Sequence, residues 1–177
     1  MRKVELERDE DGRVVMPGAD LQEADLRGAD LAGADLEGAD LQGAFLAEAN
    51  LWRADLEGAK LQGASLFSAN LYDANLREAR LEGADLVWAK LSRADLQGAE
   101  LRRAKLRETD LRWADLRGAY LEGAIGIDEV PRGPVPGLAA RVLEQIKGHP
   151  ESLDMDYWHS DCGTKHCFAG WAVTLAG

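Results

Sequence analysis

Residues 19–43 read ADLQEADLRGADLAGADLEGADLQG, five copies of one five-residue phrase. The phrase runs on in both directions. Leu occupies every fifth position from Leu21 to Leu121 without a miss, and Ala stands two residues before each of them except at Thr109. Ala124 continues the series, so the unit A-[D/N/x]-L-x-x recurs about 22 times with no insertion. A repeat of this regularity decides the architecture before any local propensity does.

A period of five fits neither regular element. On an α-helix five residues advance the face by roughly 140°, so the leucines would spiral round the axis. On a flat strand successive leucines would alternate sides, because the strand period is two. A corner in every quintet resolves both conflicts: the chain winds as a coil and turns each Ala and Leu to a shared interior. Gly28, Gly33, Gly38 and Gly43 stand two residues after Leu, where a tight bend is easiest. Other quintets carry Glu, Arg or Trp there, which predicts that positive φ is optional at the corner.

Residues twenty apart match: Gln22, Gln42 and Gln62; Asn50 and Asn70; Asp35, Asp55, Asp95 and Asp115. A fifteen-residue period aligns Asp20, Asp35, Asn50, Ser65 and Arg80 much less well. Four quintets per coil, and about five and a half coils, are the expectation. At ~4.8 Å per coil the stack measures roughly 26 Å. Backbone hydrogen bonds would join coil to coil, with Asn and Gln side chains laddering beside them. The buried Leu column, at roughly 1.5–3 kcal/mol per side chain, would hold the fold together.

The A-[DN]-L-x-x units of residues 17–125 resemble the pentapeptide-repeat family. The resemblance implies an all-β solenoid, a right-handed quadrilateral β-helix with Leu at the central inward position. Both ends of a solenoid need covers. Residues 1–16 alternate Val4 and Leu6 with charge and carry Asp11-Gly12, which predicts a β-hairpin cap. Residues 126–137, GIDEVPRGPVPG, read as a Pro/Gly linker. Residues 138–177 read as a small helical module, with one helix from Leu138 to about Lys147. Its stretch from Trp158 to Trp171 (W-H-x-x-C-G-T-x-H-C-x-A-G-W) resembles a small module of bacterial and phage proteins. The chain stops at Gly177 within an apolar run, as a very short or a truncated helix would.

The sharpest chemical constellation is His159, Cys162, His166 and Cys167, four zinc-capable ligands within nine residues. The spacing is not that of a zinc finger, and His166 and Cys167 diverge by about 100° on a helix. A packing role for Cys167 and a Cys162–Cys167 disulfide stand beside the metal reading. A Cys/His nucleophile and base would need an orienting third group, and none is identifiable. No Walker loop, G-x-S-x-G elbow or H-E-x-x-H occurs. The recurring Asp fits a turn role, bonding backbone amides at the corners. No cofactor and no catalytic residue are expected, so the chain reads as a non-enzyme.

Six of the aromatic residues outside the inward positions fall into two groups. The twenty-residue period groups Phe45, Phe67 and Trp88, beside Val87, on one side, and Trp52, Tyr72 and Trp113 on the next. Exposed apolar groups on a rigid solenoid predict a contact surface for a protein partner. Charge is uneven: residues 17–62 carry ten acids and three bases, residues 63–125 ten of each. Asp20, Asp35, Asp40 and Asp55 form the expected acidic face. Arg102, Arg103, Lys105, Arg107, Arg112 and Arg117 gather near the other end.

The net charge of −11 argues against direct nucleic-acid binding, which needs clustered cations. The N-terminus lacks the apolar run of a secretory signal, and no stretch approaches a membrane span, so a cytoplasmic place with reduced thiols is expected. Two functions follow. One is a non-catalytic interaction or scaffold protein, free to form homo-oligomers. The other comes from the family resemblance: some members bind DNA gyrase as acidic mimics of DNA and protect it from quinolones. Beside these two stands a small metal or redox site in the C-terminal module.

Overall fold

The computed structural model describes residues 4–126, all within one structural unit, Met1–Pro134. The linker beyond Gly126, the expected helix at 138–147 and the whole His/Cys module lie outside the described residues.

Single parallel bridges join residues twenty apart, beginning with Val15 to Asp35 and ending with Lys105 to Ile125. Four quintets therefore make one coil. The bridges define four faces. One runs Val15, Asp35, Asp55, Asn75, Asp95, Asp115; the next runs Asp20, Asp40, Lys60, Arg80, Glu100, Tyr120. The third runs Asp25, Phe45, Ser65, Asp85, Lys105, Ile125; the fourth runs Asp30, Asn50, Asn70, Lys90, Asp110. Among the described residues the β structure is made of isolated bridges rather than extended strands. The reason is the corner: too few residues of each quintet remain extended between turns.

One quintet shows how the backbone is satisfied. Asp35 N donates to Val14 O at 2.9 Å, Leu36 N to Asp55 O at 2.8 Å and Gly38 N to Glu57 O at 2.8 Å, all between coils. Ala39 N donates back to Leu36 O at 3.0 Å and closes the corner. The remaining donor, Glu37 N, meets Asp35 Oδ1 at 3.3 Å. All five amides are thereby paired, as a buried backbone requires. The same Asx contact recurs from Gln22 N to Asp20 through Arg117 N to Asp115. This is the turn role expected for the recurring carboxylate.

The expectation that positive φ is optional at the corner is overturned. The residue two after each inward side chain has φ between +54° and +76° in every quintet from Gly18 to Gly123. Half of these residues are Gly; the rest are Glu, Arg, Ser, Asp or Trp. A positive φ at the third turn residue, with an i+3 to i bond, is type II geometry. The coil has to turn the same way at each corner, so the backbone imposes this conformation whatever the side chain.

Inside, from Leu31 to Leu106 no leucine of the series is more than 1% exposed, and the paired alanines fill the space between them. At the N-terminal end Arg8 bridges Val14 antiparallel, with Asp9 N donating to Arg13 O at 2.9 Å and Gly12 N to Asp9 O at 3.0 Å. Val14, buried, carries the chain from this hairpin into the first coil.

Candidate protein-interaction surface

The fourth and first faces meet at a corner built by Leu51-Trp52-Arg53-Ala54 and its counterparts above and below. Trp52 and Tyr72 lie in one column on successive coils, and Arg53, Asp73, Arg93 and Trp113 fill the adjoining column. The groups are tied together. The Arg53 guanidinium lies 5.2 Å from the Trp52 ring centroid and its Nε donates to Asp73 at 2.9 Å. Arg93 Nη1 donates to the Tyr72 hydroxyl at 3.4 Å. Arg112 donates to both oxygens of Asp110, at 2.8 and 2.6 Å, and Ser92 bonds the same carboxylate. These bonds hold Asp110 below the usual aspartate range. Trp52 and Trp113 remain exposed, the latter by 68%, while Tyr72 is half-buried by its neighbours. Sequence periodicity found the three rings; the arginines woven between them it did not.

The other aromatic group sits one corner away. Phe67 and Val87 share a column, Trp88 adjoins Val87, and Phe67 and Trp88 are exposed. Phe45 differs: it occupies a bridge position on a face and is half-buried.

The four acids expected on one face fall on two. Asp35 and Asp55 share the first face, Asp20 and Asp40 the second. The register makes this unavoidable, because residues five apart are always on neighbouring faces. Nor does the Gln column ladder. Gln22 Nε2 reaches Asp40 at 3.1 Å, and Gln42 Nε2 turns to its own Asp40 at 3.0 Å. The Asn ladder does form: Asn50 donates to Asp30 at 3.0 Å and Asn70 to Asn50 at 3.1 Å. The basic residues near the end of the repeats are largely matched by acids. Arg102 pairs with Glu100 at 2.7 Å, Lys105 with Asp85 at 3.3 Å and Arg117 with Asp115 at 2.5 Å.

Among the described residues no group of three His, Cys, Asp or Glu side chains is placed to hold a metal ion, and no helix is long and apolar enough to cross a membrane. His159, Cys162, His166 and Cys167 lie outside them.

The family model for pentapeptide repeats, in eight copies, matches residues 16–53, 46–83 and 84–123. The chain belongs to the pentapeptide-repeat family. Its solenoid is the family's right-handed β-helix. Among solved structures, the pentapeptide repeat protein alr5209 of Nostoc Pcc 7120 is 47% identical over 42% of this chain and 62% of its own, with a TM-score of 0.42. The pentapeptide repeat protein Rfr23 of the cyanobacterium Cyanothece 51142 is 35% identical over 54% of this chain and 63% of its own, with a TM-score of 0.35. The chain thus spans less than two thirds of either protein. Trypsin-treated QnrB1, a plasmid-mediated fluoroquinolone resistance protein, is 20% identical over 80% of this chain and 74% of its own, with a TM-score of 0.61. That likeness is one of fold. No curated protein matches the chain.

Proposed function

We propose that this pentapeptide-repeat chain is a non-catalytic protein–protein interaction scaffold, acting in the cytoplasm. In this reading the solenoid has about five and a half coils, the N-terminal hairpin caps it, and a linker at 126–137 leads to a helical module at 138–177. The observation that carries the proposal is the Trp52–Tyr72–Trp113 corner. Its rings are presented on a hydrogen-bonded backbone, and Arg53, Arg93 and Arg112 are held among them by ion pairs and hydrogen bonds. A surface ordered before binding loses little conformational entropy when a partner docks. Exposed Trp, Tyr and Arg are the residue types that dominate interface energetics. The test is affinity capture with the intact chain and with a Trp52→Ala, Trp113→Gly double variant. A partner held by both would refute this assignment of the surface.

The gyrase-directed reading has one observation in its favour: Asp20, Asp35, Asp40 and Asp55 cluster on two adjoining faces of the first coils. Against it, Lys60 pairs with Asp40, and the later acids are matched by Arg and Lys. Neutralising those four aspartates should abolish any effect of the protein on gyrase supercoiling, and the absence of an effect at micromolar protein would end this reading. A metal or redox site at His159, Cys162, His166 and Cys167 is the third, and metal content of the purified chain decides it.

A further inference from the structure

Beyond partner binding, the corner between the third and fourth faces carries both halves of a self-complementary contact. One half is a protrusion. Trp88 is 55% exposed and holds φ +62°, a conformation that bulky side chains avoid. Nothing in the fold requires an indole there, since Gly28 occupies the equivalent place three coils earlier. The other half is an open depression of about 570 Å³ lined by Val4, Asp25, Arg27, Gly28, Ala47 and Glu48. Protrusion and depression lie along one corner, on opposite sides of the coil that displays Phe67.

We infer that two copies of this chain associate antiparallel along this corner, with Phe67 on the two-fold axis and each Trp88 seated in the other copy's depression. A two-fold axis across the corner at Phe67 sets each residue opposite the one equally far on its other side. Trp88 then faces Glu48 and stands over Ala47. An indole buries roughly 150–250 Å² when enclosed. Arg27 supplies a cation at the wall of the depression and Glu48 an acceptor for the indole N–H. Val87 meets Ala47, a large side chain against a small one. On the flanking face Asp25 meets Lys105 of the second copy. Arg27 meets Arg107 of the second copy, and Asp25 and the second copy's Glu108 stand beside that like-charged pair. Contacts that each copy both gives and receives are what a closed dimer requires.

Sedimentation velocity on the full chain, up to about 200 µM and well above the µM-to-pM range of specific interfaces, tests this. A dimer is expected. Trp88→Gly should weaken it at least about tenfold, the size of one lost hot-spot contact. The variant keeps a folded solenoid because Gly suits that φ. Trp113→Gly, the same change on another corner, should leave the dimer intact. Asp25→Lys should weaken association, and Asp25→Lys with Lys105→Asp should restore it. A monomer throughout, a dimer indifferent to Trp88→Gly or abolished by Trp113→Gly, or a charge exchange that fails to restore association would overturn the proposal.

Discussion

The Thr109 hydroxyl donates to the backbone carbonyl of Leu86 at 2.8 Å, across 23 residues of sequence, at the one place where the inward Ala is replaced. That carbonyl already accepts Ala89 N at 2.9 Å to close its corner. Thr109 is 7% exposed, so its hydroxyl is satisfied inside the solenoid rather than by water. Thr109→Val keeps the volume and removes the bond. It should lower stability by about 1 kcal/mol in denaturant unfolding, the usual net value of one hydrogen bond.

The shared positive φ makes a second prediction. At Gly28, φ +63°, an added Cβ would meet nothing within 4 Å, so Gly28→Ala isolates the backbone cost. It should destabilise by about 1 kcal/mol. Trp113→Gly, at φ +63°, should raise stability by a few tenths to about 1 kcal/mol. Opposite signs in a paired thermal melt are the expected outcome.

The interior tolerates change in neither direction. Leu61 is fully buried, and Leu61→Ala should cost about 2–5 kcal/mol through the cavity it leaves. Ala54 is equally buried with leucines of its own and neighbouring coils around it, and Ala54→Leu should cost about 1–3 kcal/mol through overpacking. Urea midpoints of both variants check this.

Acid should weaken the solenoid. Hydrogen bonds from Arg112, Arg117 and Arg27 are the largest influence on Asp110, Asp115 and Asp25, and hold each below the ordinary value of 3.8. A carboxylate lowered on folding stabilises above its unfolded pKa, and that contribution is lost as pH falls through the folded one. Melting temperature should hold level near neutrality and decline below about pH 4. Asp110→Asn should make that decline shallower.

Much of this was legible in the spacing of a few residue types. Asn50 and Asn70, or Asp35 and Asp55, announce a twenty-residue coil because both stand where side chains must meet between coils. The corner conformation was not legible at Glu48, Arg53 or Trp88, because the constraint is set by the closed path of the coil and not by the side chain. Asp35 and Asp40 look adjacent in sequence while a corner separates them, so the sequence suggests one acidic face where the coil has two. The matching of bases to acids had a visible signal: Asp25-Leu26-Arg27, Asp110-Leu111-Arg112 and Asp115-Leu116-Arg117 each place an arginine across the Leu from its carboxylate.

The measurement closest to the central claim is quantitative affinity capture from host lysate with three full-length baits: the intact chain, the Trp52→Ala, Trp113→Gly variant, and Trp88→Gly as a control. The account predicts a defined protein retained by the intact chain and by the control and lost from the corner variant. Equal retention by all three, or no retained protein with the intact chain, would contradict it.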